Sequence, residues 1–349
     1  MAATATGVYH RSYARDLAIH HTRSERVRLA LVLALVIVAP FVAGPTWLTV
    51  LNQIGIAAIG AIGLNLLVGS TGQISLGQGG FLAVGAYTAG LLTAESGLPF
   101  LGGIAAAVLL TAAVGAFFGL PALRLKGLYL AIATLAAQQI ILWVIRNWEG
   151  VTGGVDALVV PAPTLLGIDL STDFSFYWVI LAFAALSALV ATNLLRTGIG
   201  RAFVAIRDQD IAAEAMGVNL TRYKVLAFAV SSGFVGLAGA LTAYDTKIVT
   251  FERFTLDVSI LYLAMIIVGG LGSVSGAIYG AVFMIGFPAY IRELSSFGGP
   301  LEFIGADLPA VQALIFGLTI VLFLIFEPRG IARIWGRSKD YFRLWPFRT

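Results

Sequence analysis

Ten apolar runs along the chain are candidates for crossing a hydrocarbon core, which takes about 20 helical residues. These are roughly 29–44, 47–68, 78–94, 100–121, 128–145, 175–195, 225–244, 258–270, 274–291 and 308–326. The pattern predicts an all-α, polytopic integral membrane protein of about ten transmembrane helices. Runs 29–44, 78–94 and 258–270 are short for a full crossing, so half-helices or re-entrant pieces are expected among them. Two glycine-rich stretches interrupt the series. Five glycines stand between Gly69 and Gly80, each costing about 1 kcal/mol relative to alanine inside a helix. Gly269-Gly-Leu-Gly-Ser-Val-Ser-Gly276 has the same character. Broken or re-entrant segments are therefore expected near residues 69–80 and 269–276.

Backbone freed within a bilayer survives only where protein buries it or where it lines a water-filled route. Broken helices of this kind line solute paths in transporters, whereas small residues in a plain loop merely let helices approach. On the first reading Asn65, Gly69, Gly72, Gln73, Ser75, Gln78, Gly269, Gly272 and Ser275 are candidates for the walls of one pathway. Val68, Gly69, Gly72 and Ser75 also recur as Val268, Gly269, Gly272 and Ser275, at a constant offset of 200. That echo suggests a repeat, although glycine-rich stretches can match by chance.

Composition supports the membrane reading, since 59% of the 349 residues are hydrophobic and only 11% charged. The net charge of +4 comes from basic residues spread over short segments between apolar runs, which fits membrane topology better than nucleic acid. With the N-terminus inside, ten crossings place residues 1–28, 122–127, 196–224 and 327–349 inside. Those segments hold 18 of the 22 Lys and Arg, while 11 of the 18 acids fall outside. The excess of positive charge on one side predicts two cytoplasmic termini. Expected domains are a cytoplasmic tail (1–28), a transmembrane domain (29–326) and a second tail (327–349). An inside loop spans 196–224, and the longest outside loop spans 146–174. The first run reads as an uncleaved span rather than a signal peptide, because the basic region before it is long.

The inside loop is too polar to span and too regular to be a slack linker. Helix formers from Ala202 to Met216 predict one short surface helix, with Gly217 as its stop and Thr221 capping the next. Arg207, Asp210 and Glu214 would share one face of it. Such a helix is either an interfacial one with a solvated side or a docking element for another protein.

Three blocks carry a resemblance: GLNLLVGSTGQISLGQGGFLAVGAYTAG (63–90), GRAFVAIRDQDIAAEAMGVNLTRYKVLAF (200–228) and the ending EPRGIARIWGRSKDYFRLWPF. They look like the inner-membrane permeases of branched-chain amino acid ABC transporters, the LivH/LivM family, and the LivM-like partner in particular. The likeness runs from about residue 29 to the C-terminus. It implies an importer subunit of the bacterial inner (plasma) membrane that works beside a second, homologous permease. Two cytoplasmic ATP-binding subunits and a periplasmic or extracellular substrate-binding protein would complete the assembly. It also implies that Glu214-Ala215, with Gly217 behind them, form the coupling pattern, and that Arg201, Arg207, Asp210 and Glu214 contact the ATPase. This Glu-Ala pattern is looser than the longer motif of other importer permeases. Thr152, Gly153, Gly154 and Asp156 resemble a family segment facing the binding protein. Branched-chain amino acids are the default cargo, with urea, short amides or other amino acids as alternatives.

The chain itself shows no equipment for chemistry. None of the four lysines follows a glycine, so the phosphate-cradling pattern G-x-x-x-x-G-K-[ST] is missing and ATP is expected to be hydrolysed elsewhere. Cysteine is absent, and His10, His20 and His21 all lie in the polar tail. No metal, no cofactor and no enzymatic activity is expected. Besides membrane lipid, no further partner is implied. Ionisable residues sit almost entirely at the ends of the runs, which argues against a proton-coupled carrier, while an ion-coupled carrier that holds sodium through carbonyls and hydroxyls stays an alternative. Within the runs, the pair Gln138-Gln139 either bonds to neighbouring helices or lines a path. Pro288 is expected to end or kink its helix.

Overall fold

The computed structural model describes residues 23–165 and 167–296, together with 314, 317, 318, 321, 322, 325 and 330–333. Most of the tails 1–28 and 327–349, the three histidines and most of the tenth apolar run lie outside the described residues. Residues 1–48 and 49–349 form two compact units. The first contains α1 (Arg23–Val42), whose Leu31, Leu35 and Val42 are exposed, and the opening turn of α2 (Pro45–Thr71).

The second unit continues α2 and adds α3 (Gln78–Ala94), α4 (Phe100–Gly119), α5 (Leu128–Asn147) and the single turn α6 (Glu149–Thr152). After α7 (Asp173–Arg196) come the surface helices α8 (Gly198–Asp208) and α9 (Asp210–Ala215). The chain then returns through α10 (Leu220–Thr246), α11 (Leu256–Gly269) and α12 (Val274–Ser296). Strands β1 (Leu158–Val159) and β4 (Ile248–Val249) pair antiparallel, as do β2 (Thr164–Leu165) and β3 (Ile168–Asp169). Among the described residues α2, α4, α5, α7, α10 and α12 are long and apolar enough to cross a membrane. The protein is thus a multi-pass, essentially all-helical membrane protein. As the run lengths predict, α3 and α11, with 17 and 14 residues, are short.

Small residues set the packing at the centre. Gly233, Gly236 and Gly239 form a stripe on α10, and it meets the backbone of its neighbours. A Cβ on Gly85 of α3 would run into the Gly236 carbonyl, and one on Gly239 would run into the Leu82 carbonyl. Helix backbones therefore touch directly, which is how helices associate when lipid is as apolar as their side chains. Leu186 and Leu189 on α7, Leu109 and Phe117 on α4 and Val282 on α12 remain exposed, an apolar girdle suited to lipid.

Contacts sort the connections onto two ends of the bundle. At one end Lys126 meets Asp210, and Arg207 meets Gly69. At the other end Thr49 Oγ1 donates to Asp173 (2.7 Å), Lys247 Nζ donates to the Ser171 carbonyl (2.8 Å), and β1 pairs with β4. These are the two groups of segments that the charge distribution separates.

Two segments turn inward between the ends. The chain leaves α2 at Thr71, but Gln78 Nε2 donates to the Gly60 carbonyl (3.1 Å), eleven residues back along α2. The first break thus climbs back along α2 before α3 starts. From the opposite end a second segment descends: Leu158, paired with Val249, packs on Gly90, whereas Phe254 lies against Gly79. The first turns of α3 and α11 meet there, with the Gly79 N–H donating to Ser259 Oγ (2.8 Å).

Three local expectations change. Residues 202–216 form two helices rather than one, because Gln209 is extended (φ −163°, ψ 108°) and breaks the ladder. Asn219, not Thr221, caps α10, its side chain accepting from the Arg222 N–H (3.0 Å). Pro288 does not end α12, which continues to Ser296. The predicted stop at Gly217 holds: its φ is +88°, and the Val218 N–H reaches back to the Ala213 carbonyl.

Candidate functional site

Asn65 joins the two breaks. Its Nδ2 donates to the Ser273 carbonyl (2.7 Å) and, at 3.4 Å, to the Gly270 carbonyl, while its Oδ1 accepts from the Gly272 N–H (2.8 Å). One buried amide thereby satisfies the Gly272 N–H and the Gly270 carbonyl and gives the Ser273 carbonyl a second donor beside the Ala277 N–H, as a low-dielectric interior demands. Contact is possible because Gly69 has no side chain: a Cβ there would collide with Asn65 Oδ1 and the Gly272 nitrogen. Gly72 (φ +70°) and Gly272 (φ +76°) turn in the left-handed region at matching points.

The other candidates of the first break are held inside the chain. Ser75 Oγ accepts from the Gly77 N–H (3.3 Å), and the Leu76 N–H donates to Thr134 Oγ1 on α5 (2.9 Å). Gln73 Nε2 donates to Thr71 Oγ1 (3.0 Å), while Gln73 Oε1 is buried with no partner among the described residues. Ser275 is exposed and paired with Ser273 (3.0 Å). Gly269 is packed against the Gly276 carbonyl.

The surface helices dock on this junction through charge. Arg207, at the end of α8, donates from Nη1 to the Gly69 carbonyl (3.0 Å) and pairs with Asp208 (3.1 Å). Asp210, opening α9, takes Lys126 at 2.6 Å and Lys224 at 3.4 Å. The hydrogen bond from Lys126, with both cationic charges behind it, holds the Asp210 carboxyl below its ordinary value despite partial burial. Lys224 is buried to 5% exposure in the first turn of α10, where this carboxylate makes its charge tolerable. A hollow of about 260 Å³ lies between the junction and the elbow that α8 and α9 form at Gln209, lined in part by Gly72, Gln73, Arg207 and Asp210.

Because the helix breaks at Gln209, Arg207, Asp210 and Glu214 do not share one face. Arg207 and Asp210 point into the bundle, whereas Glu214 and Ala215 are exposed on α9 beside Ile211 and Met216, exposed to 74% and 86%. Arg201 is exposed on α8. At the opposite end Thr152 is buried, its Oγ1 donating to the Trp148 carbonyl (2.9 Å), and Gly153 and Gly154 turn at positive φ. Asp156 is exposed just beyond them.

Sequence reasoning did not single out Lys126, Lys224 or Ser259. A lysine opening an apolar helix is a visible sign of a buried partner, but Ser259 lies 180 residues from Gly79 and carries no local signal. Gln138 follows the neighbour-bonding alternative: it accepts from Ser259 Oγ (2.7 Å) and donates to the Phe254 carbonyl (3.2 Å). Gln139 is exposed. Among the described residues no group of His, Asp and Glu could hold a metal ion.

A family model described as a branched-chain amino acid transport system permease component matches residues 46–324. The chain is 33% identical over 334 residues to the high-affinity branched-chain amino acid transport system permease protein LivM of Salmonella typhimurium, covering 89% of this chain and 75% of that one. LivM of Escherichia coli is 32% identical with the same coverage. The autoinducer 2 import system permease protein LsrC of Salmonella paratyphi B is 28% identical over 170 residues, 46% of either chain. No solved structure matches.

Proposed function

The chain belongs to the permease family of branched-chain amino acid transport systems, and from that premise we propose that it carries leucine, isoleucine and valine across the bacterial inner membrane. It works as one half of a permease pair with about ten crossings and both termini cytoplasmic. Two ATP-binding subunits sit against the end that carries α8 and α9, and a binding protein delivers solute at the other end, where Asp156 is exposed beyond the Thr152–Gly154 turn. It makes and breaks no covalent bond.

One observation carries the coupling part of this reading: Arg207, on the surface elbow, is bonded to the Gly69 carbonyl where the two breaks meet. Asp210 ties the same elbow to the loop before α5 through Lys126 and to α10 through Lys224. An ATPase gripping Ile211, Glu214 and Met216 on α9 therefore pulls on the junction rather than on a slack loop. As the ATPases close, the elbow shifts and the breaks exchange an outward-open for an inward-open arrangement. The nucleotide acts through contacts that differ between those two states. Gln73 Oε1, without a partner among the described residues, and the hollow beside it supply a polar inner vestibule.

Reconstitution into proteoliposomes with all partners tests the proposal. Leucine uptake should require ATP, both ATP-binding subunits and the binding protein. Uptake by this chain alone on an ion gradient would overturn it, and uptake of urea or short amides in preference to leucine would overturn the cargo. Glu214→Lys should weaken co-purification with the ATPase and lower uptake while membrane insertion stays normal.

A further inference from the structure

On the face of α5 away from the break junction, a cleft of about 540 Å³ opens between that helix and the descending segment 251–256. Its size falls within the range of small-molecule sites. Leu142 and Trp143 form one wall, and Phe251 and Leu256 the other. Two opposite charges also line it: Arg146, from the last turn of α5, and Glu252. Among the described residues neither makes an ion pair, and both are exposed. Gln139 and Thr255, both exposed, also line the cleft, and Gln138, next to Gln139, carries the bond to Ser259.

Exposed charges at a helix end are ordinary on a membrane protein. A cation and an anion sharing one cleft with four large apolar side chains are not accounted for by topology. The combination complements a particular solute, one with a carboxylate, an ammonium group and an apolar chain. We infer that this cleft is a transit site for apolar α-amino acid zwitterions, with Arg146 taking the carboxylate, Glu252 the ammonium group and the four apolar residues the side chain. The inference rests on the permease reading and deepens it. A guanidinium presents paired donors to a carboxylate, and an apolar wall penalises any cargo whose side chain must shed water without gaining a partner. The charges lie toward the end where α5 finishes. Solute arriving there would be met by charge first and then pass down the wall made by the descending segment, toward the level at which α3 begins.

The chain contains no cysteine, so Leu142→Cys gives it a single thiol inside the cleft. In proteoliposomes holding the complete transporter, labelling of that thiol by a small methanethiosulfonate should slow severalfold with leucine or isoleucine. Leucinamide, which lacks the carboxylate, and 4-methylpentanoate, which lacks the ammonium group, should not protect. Arg146→Gln or Glu252→Gln in the same background should abolish protection by leucine. Leu256→Cys, on the opposite wall, provides a second reporter should the first fail to fold. Continued leucine transport with neither thiol protected would overturn the site and leave the permease reading standing, as would equal protection by leucinamide. Absence of leucine uptake by the unaltered complete transporter would overturn both.

Discussion

At the first break α2 ends on Thr71, and the chain spends Gly72 to Gly77 climbing back beside α2 before α3 begins. At the second, α11 ends on Gly269 and only Gly270 to Ser273 precede α12. The two stretches start alike. Val68 and Val268 are both buried, Gly69 and Gly269 both press on backbone, and Gly72 and Gly272 both turn at positive φ. They part at the fourth position, where Ser75 is buried and Ser275 exposed. Glycine placement sets where each helix stops. The path taken after the stop depends on available partners: Thr134 and the Gly60 carbonyl draw the first break inward, whereas the second break is held from outside itself, by Asn65. The breaks are consequently unequal members of one junction, the first supplying the side chain and the second the backbone.

Enlarging the contact point should do the most damage. Gly69→Leu places carbon where Asn65 Oδ1 and the Gly272 nitrogen already stand, so the two breaks cannot seat together. We expect loss of the folded protein from membranes, measured by quantitative blotting and by size-exclusion in detergent. Gly72→Leu, three residues on, is a milder control: a Cβ there would approach Arg207 Cγ at 3.3 Å, and the penalty is chiefly the strained φ of +70°. Assembly should persist while transport falls. Wild-type behaviour of Gly69→Leu would mean that the breaks need not touch.

Next in size is Asn65→Ala, which takes the partner from the Gly272 N–H and the Gly270 carbonyl and leaves the Ser273 carbonyl with the Ala277 N–H alone. Stranding buried groups costs about 1–3 kcal/mol, toward the low end if the unfolded chain in lipid finds other partners. Thermal melting in detergent should drop accordingly. Asn65→Asp, which keeps the acceptor for Gly272 but sets a second oxygen against the Ser273 and Gly270 carbonyls in a buried site, should cost at least as much. An unchanged melting temperature for Asn65→Ala would remove the asymmetry, since the second break would then be self-sufficient.

Much of this architecture could be read from the residues, and the parts that could not share a cause. Nine apolar runs located described helices to within about six residues, and short runs marked α3 and α11, although the third short run belongs to the 20-residue α1; the charge pattern separated the two ends. Glycines announced both breaks, and Gly217 the stop after α9. All of these are local signals. The helix break at Gln209 was invisible because residues 202–216 favour helix throughout; docking of Arg207 on Gly69 and of Asp210 on two lysines outweighs a weak propensity. Likewise, nothing near Asn65 says that its partners lie 205 and 208 residues away, nor that Ser259 will meet Gly79. Polar residues in the apolar runs were recognisable as unusual, but their partners depend on how helices distant in the chain pack.

Arg207→Gln separates coupling from stability. The side chain is 41% exposed and shared with Asp208, so its loss should change melting little. In the reconstituted transporter, ATP hydrolysis should continue while leucine uptake per ATP falls severalfold, because the elbow no longer holds the first break. The second break, which Arg207 reaches only through Gly69 in hydrogen-bonding terms, should keep its bonds to Asn65. Uptake and hydrolysis falling in parallel would instead place Arg207 in ATPase docking, with no role in transmitting motion.

The smallest expected effect tests the point at which the echo fails. Ser75→Ala removes the acceptor for the Gly77 N–H in a buried turn, a loss of about 1 kcal/mol and a lower melting temperature. Ser275→Ala removes an exposed hydroxyl whose neighbour Ser273 still accepts from the Gly276 N–H (3.1 Å), so melting should not move measurably. A double variant should match Ser75→Ala alone, because the two hydroxyls share no partner. Were the two single variants equally destabilising, Ser75 and Ser275 would occupy equivalent environments, and the breaks would be two copies of one device. Unequal losses would show that matched glycines terminate both helices while buried hydrogen-bond partners alone make the first break re-entrant.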